Sequence, residues 1–146
     1  VPLEICLLIN DNESDREKLE QFGWRLESPA RHAATPDSYR DYILHSRGEF
    51  TVVKPGYVLG RSGWFSDRSA LYLAAGRPVI VQDTGFGQYL PTQDGVLTFT
   101  DFNGAVEAIE RVEGDYARHA AAAAAFANEY LDATRVLSRL VQLAET

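Results

Sequence analysis

The sequence is short of the residues that build the commonest chemical sites. It has one cysteine in 146 residues, which excludes an internal disulfide framework and a cysteine-based zinc cage. Its three histidines, His32, His45 and His119, are scattered and show no metal-ligand spacing such as HxxxH. The motifs GxGxxG and GxxxxGKS/T are both absent, so neither a dinucleotide fingerprint nor a P-loop is indicated. Long apolar runs are missing as well. Leu3–Ile9 is interrupted by Glu4 and falls far short of a ~20-residue membrane span. No basic stretch precedes it, as a signal peptide would require. Val1 stands where Met would open a chain, as expected of a chain trimmed at its start or of a fragment of something longer.

Basic residues are the other shortage. Fourteen Lys and Arg face twenty-one Asp and Glu, for a net charge of −7, which argues against general binding to nucleic acid or an anionic membrane. The distribution says more than the sum. Residues 51–80 hold Lys54, Arg61, Arg68 and Arg77 against Asp67 alone, four bases less one acid, a local +3 in an acidic chain. Such a cluster reads as a focused anion site or as chance grouping. A chain with 45% hydrophobic and 24% charged residues has the profile of one globular domain with its own core, expected here over residues 1–146 and in the cytoplasm.

The pattern along the chain alternates. Leu3–Ile9 reads as a buried strand ending in the turn signal Asn10-Asp11-Asn12. Ser14-Asp15-Arg16-Glu17 is a capping box for a helix to about Phe22, with Gly23 as its stop and Trp24–Leu26 as a strand. Thr35-Pro36 predicts the start of a helix carrying Tyr39, Tyr42 and Ile43 on one face. Phe50–Val53 is strand-like, and Ser66 caps a helix from Asp67 to Ala75 that Gly76 ends. Pro78–Val81 has the composition of a parallel strand covered on both faces. A loop over 82–94 precedes a strand Val96–Phe99. Helices capped by Asp101 and Asp115, and a last one over Ala133–Ala144, complete the chain. Strands alternating with helices predict an α/β fold, an open parallel sheet wrapped by helices.

In such sheets ligands bind beyond the carboxyl ends of the strands, often at helix N-termini. Two loops meet that description. One is Arg61–Arg68, where the helix start, the Ser66 and Ser69 hydroxyls and Arg68 together suit a phosphate. Asp67 in the same turn either serves as the cap's own anion, accepts from a sugar hydroxyl, or fixes Arg68. The other is Gln82-Asp83-Thr84-Gly85-Phe86-Gly87, whose glycines permit close backbone approach.

These residues resemble a known family. Ser66-Asp67-Arg68-Ser69-Ala70-Leu71-Tyr72-Leu73-Ala74-Ala75-Gly76-Arg77-Pro78-Val79-Ile80 looks like the nucleotide-sugar-binding segment of group 1 glycosyltransferases with the GT-B fold. The nearest likeness is to a bacterial branch related to spore-maturation glycosyltransferase-like proteins. It is carried by Ser46–Phe50, Ser62–Arg68, Tyr72–Val79 and Gln82–Phe86, and it extends over most of residues 22–143. The resemblance implies a Rossmann-like C-terminal half of a GT-B enzyme, binding a nucleoside-diphosphate sugar for transfer to an acceptor hydroxyl. Acceptor contacts would come from an N-terminal half or partner subunit, and no metal or other cofactor is expected. One departure counts against ordinary retaining chemistry. Many group 1 enzymes carry two glutamates eight positions apart, and alignment on Gly76-x-Pro78 puts Gly63 and Leu71 there. The alternative is a non-catalytic nucleotide-sugar-binding or subunit-interaction module.

The individual residues each have two readings. Arg68 is a diphosphate ligand or the partner of Asp67 or Glu49, and Arg68→Ala is expected to abolish diphosphate binding with little loss of stability. Arg61 and Lys54 are second cations or solvated loop charges. Asp83 or Asp67 accepts from the ribose, and the Thr84–Gly85–Phe86 backbone approaches the ligand. Glu49 orients an arginine, acts on the sugar or forms a structural pair. Phe86 and Trp64 stack on a nucleobase or belong to the core. His45 is a helix C-cap partner or a general base, and Cys6 is a core residue.

Overall fold

A computed structural model describes residues 2–8 and 13–145. The chain is an α/β protein of short parallel strands and flanking helices with Rossmann-like character. Its contacts divide it into two compact units, residues 1–45 and 46–146. The strands accordingly form two small sheets where one open sheet was expected. Among the described residues no helix is long and apolar enough to cross a membrane.

The first unit contains β1 (Glu4–Cys6), α1 (Glu13–Gln21), β2 (Arg25–Glu27), α2 (Pro29–His32) and α3 (Pro36–His45). β1 and β2 pair in parallel, Ile5 opposite Leu26. β1 is shorter than the apolar run suggested, and Ile9 with the 10–12 turn lies outside the described residues. Helix α1 begins at Glu13, one residue before Ser14, so Ser14 sits inside the helix and not at its cap. Gly23 does end it: φ is +81°, and the next N–H, Trp24, reaches back to the Leu19 carbonyl at 3.0 Å. At α3 the cap is reciprocal. The Ser38 N–H donates to Thr35 Oγ1 and the Thr35 N–H to Ser38 Oγ, both at 3.1 Å. Cys6 is half-buried and not a full core residue.

The second unit runs β3 (Glu49–Thr51), α4 (Pro55–Leu59), α5 (Asp67–Ala74), β4 (Val79–Gln82), a 3-10 turn Phe86–Gln88, β5 (Val96–Phe99), α6 (Phe102–Gly114), α7 (Tyr116–Tyr130) and α8 (Ala133–Ala144). The sheet is parallel in the order β3-β4-β5, with Phe50, Ile80 and Leu97 in line across it. That row, with Phe99, packs on Ala105, Ala108 and Val112 of α6. Strand alternation turns Glu49, Thr51, Val79, Val81 and Val96 to the other face, where Arg68 of α5 reaches the first two. α5 in turn packs on α7. Gly95, at φ +85°, lies so close to α7 that a Cβ there would stand 2.5 Å from the Ala123 nitrogen. Its N–H donates to Nδ1 of buried His119 at 3.1 Å, which accounts for that histidine.

Candidate functional site

The carboxyl ends of β3 and β4 and the start of α5 come together at one edge of the three-stranded sheet. Two loops are stitched to each other there. The Gly63 N–H donates to the Thr84 carbonyl at 2.9 Å, and the Thr84 hydroxyl donates to the Trp64 carbonyl at 2.6 Å. Thr84 is fully buried, and Phe86, at 1% exposure, packs on Phe65. Ser66 and Ser69 are buried too. Of the ten candidate residues these four, with buried Gly85, form the frame of the edge. Lys54, Arg61, Asp67, Arg68 and Asp83 supply its surface and its charge.

The start of α5 is already capped. Ser66 Oγ and Asp67 Oδ1 both accept from the Arg68 N–H, at 3.2 and 2.8 Å. The carboxylate in the first turn thus occupies the place in which a phosphate would meet that N–H. The glycine loop is closed in the same way, with the Gly85 N–H donating to Asp83 Oδ1 at 2.8 Å. The side-chain cations of this edge therefore become the groups to consider.

Arg68 belongs to a closed network. Its Nε donates to Glu49 Oε1 at 2.5 Å and its Nη2 to Thr51 Oγ1 at 3.0 Å, while the Thr51 hydroxyl donates to the same Glu49 oxygen at 2.7 Å. Glu49 is 7% exposed and its Oε2 is buried without a hydrogen-bond partner. Arg68 keeps 46% of its side-chain surface exposed. Of the readings open for Glu49, the structure shows the ion pair. Sequence reasoning left its depth unseen, although Glu49 and Thr51 alternating around Phe50 on a parallel strand is a signal for a buried polar network.

Arg61 stands on the outer side of the same edge, its Nη1 3.7 Å from Asp83 Oδ2. Lys54 is exposed at the N-cap of α4, next to Val53, whose N–H donates to Gln82 Oε1 at 3.0 Å. Trp64 stacks on Tyr57 with centroids 5.4 Å apart. The local +3 of residues 51–80 does not survive folding. Glu49 and Asp83 come in from outside that window to face Arg68 and Arg61. Arg77 lies at the opposite edge, donating to the Tyr116 hydroxyl at 3.1 Å. His45, in the first unit, contacts the Asp41 carbonyl with Nδ1 at 2.7 Å, the C-terminal partner role.

Among the described residues no group of three or more His, Cys, Asp or Glu side chains is placed to hold a metal ion. The two positions where group 1 enzymes carry glutamates bring no acid to this edge: Gly63 has φ +73° and Leu71 lies exposed on α5. No family model, curated protein or solved structure matches the chain. The resemblance to glycosyltransferases therefore rests on the residues themselves.

Proposed function

We propose that this chain is the donor-binding half of a glycosyltransferase of the bacterial group 1 type, taking a nucleoside-diphosphate sugar. The observation that supports the reading is the gathering of Arg61, Arg68, Lys54 and the Gly85 loop at the carboxyl edge of a parallel sheet, where α/β folds bind ligands. In the reaction the bond from the anomeric carbon to the diphosphate oxygen breaks, a bond to the acceptor hydroxyl forms, and charge accumulates on the leaving diphosphate. Cations fixed near that oxygen stabilise the transition state more than the ground state. Asp83 and Asp67 are the acceptors on hand for the ribose. The acceptor hydroxyl and any general base come from an N-terminal half or a partner subunit. The reading calls for no metal or other cofactor and includes a cytoplasmic location.

The test is a thermal-shift screen of the chain against UDP, GDP, TDP, ADP and their common sugars. A ligand at about 100 times its Kd adds about 2.7 kcal/mol, a shift of several degrees. A shift with one base and not the others supports the reading; no shift with any overturns it. The absence of acid at Gly63 and Leu71 favours a second reading, a module that binds the nucleotide sugar without turning it over. Release of nucleoside diphosphate by the full-length gene product would exclude that second reading.

A further inference from the structure

We propose that Arg61 is the principal phosphate-contacting cation of this edge, and that the chain holds it in a strained backbone conformation to place it there. The inference rests on the nucleoside-diphosphate reading above and assigns the contact within it.

Helix α4 ends in a recognisable C-terminal motif. The Arg61 N–H donates to the Val58 carbonyl at 3.1 Å and the Ser62 N–H to the Tyr57 carbonyl at 3.2 Å. These are the two reverse bonds of a Schellman motif, which requires a left-handed residue just past the cap. Glycine is the residue that takes that conformation freely. Here the glycine is one position early: Gly60 is right-handed, with φ −78° and ψ −4°, and Arg61 takes the left-handed place with φ +42°. It is the one non-glycine residue with positive φ among those described. Exchanging the order of Gly60 and Arg61 would put glycine where the backbone favours it. The strain at 61 therefore calls for a reason in the side chain.

The Gly85 loop runs alongside this arginine. A Cβ added at Gly85, whose φ is +87°, would make ordinary contact at 3.4 Å with both the Cβ and the carbonyl oxygen of Arg61. Asp83 fixes the Gly85 N–H with one carboxylate oxygen and faces Arg61 Nη1 with the other at 3.7 Å. That distance orients the guanidinium without a direct hydrogen bond. The side chain stays 63% exposed. Of the rival groups at the edge, Lys54 is exposed at the N-cap of α4 but offers a point charge without a planar fork, and the others are occupied. Arg68 spends Nε and Nη2 on Glu49 and Thr51, and the Arg68 and Gly85 backbone N–H groups serve Asp67 and Asp83. A planar guanidinium with free edges suits two oxygens of a diphosphate at once.

The experiment compares the 146-residue chain with its Arg61→Gly and Arg61→Lys variants. Affinity for UDP, GDP, TDP, ADP and inorganic pyrophosphate is measured by calorimetric titration, and the melting temperature is measured without ligand. Arg61→Gly is expected to weaken binding about tenfold or more while leaving the melting temperature equal or higher. Arg61→Lys, which keeps both charge and strain, is expected to lose less affinity than Arg61→Gly at an unchanged melting temperature. If the parent chain binds and Arg61→Gly binds within about twofold of it, Arg61 is not the contact. A lower melting temperature for Arg61→Gly also overturns the inference, because the arginine would then be serving the fold. Failure of the parent chain to bind any probe overturns the nucleotide reading itself, and the inference with it.

Discussion

Glu49 occupies a position that a parallel strand normally gives to valine or isoleucine, and its carboxylate is nearly out of water. An ion pair there is poor evidence of stability, because desolvation offsets most of the attraction, yet breaking it from one side leaves a charge stranded. Arg68→Ala is thus expected to lower stability by about 1–2 kcal/mol, the lower part of the usual range because Arg68 is half exposed. This revises the sequence-based expectation that Arg68→Ala is thermally silent. Urea denaturation of Arg68→Ala, Glu49→Leu and the double variant checks it: the double variant should lose less than the two single losses added together. The Arg47–Glu113 pair is a different case, exposed and linked to pH. The hydrogen bond from Arg47 Nε, at 2.5 Å, holds the Glu113 carboxyl below its ordinary value. A depressed carboxylate stabilises the fold above its unfolded pKa and loses that contribution as pH falls through the lower folded value. Melting temperatures between pH 7 and pH 3 should therefore fall less steeply for Glu113→Gln than for the parent chain. Both side chains are well exposed, so the difference should be small and shrink further in salt.

At the scale of elements, legibility in the sequence tracked local chemistry. The starts of α5, α6 and α7 were readable because Ser66, Asp101 and Asp115 cap them through their own side chains, an interaction spanning two or three residues. β4 and β5 were readable from short apolar runs set between turn signals. Two short helices, α2 and α4, escaped notice because four or five residues show no periodicity. The site was legible as two loops and a set of residue types. Its wiring was legible only in part: the Glu49–Arg68 pair stands among the readings for both residues, whereas Arg61–Asp83, a contact across 22 positions, follows from no local pattern. α8 shows the limit from the other side. Its spacing of Val136, Leu137, Leu140, Val141 and Ala144 marks a helix correctly, but spacing alone does not say whether the apolar stripe is covered. In the structure none of its residues is buried, and Leu137 and Leu140 are 58% and 61% exposed. Leu140→Ser should accordingly change the unfolding free energy by less than about 0.5 kcal/mol. Phe126→Ala on α7, at 2% exposure, should cost roughly 3–5 kcal/mol. Chemical denaturation of the two variants side by side tests whether the stripe on α8 carries any folding energy.

For the whole molecule, every candidate site residue falls on one side of the boundary between the two units. Lys54, Arg61, Ser66–Ser69 and Asp83–Phe86 all lie within residues 46–146, as do Glu49, Thr51 and the sheet that carries them. That unit also holds its own core, the Ile80, Leu97 and Phe99 row against α6 together with Leu73, Val79 and Phe126. A domain of this size with a core of its own has the means to fold alone. Residues 46–146 prepared by themselves should therefore unfold in a single cooperative transition, checked by following helix content and tryptophan fluorescence together, Trp64 being the reporter in this piece. Its affinity for whichever nucleoside diphosphate the 146-residue chain binds should stay within about threefold, less than 1 kcal/mol. A cooperative fold with lost affinity would assign a required contact to residues 1–45. Loss of the cooperative transition would mean that the first unit is needed for the second to fold.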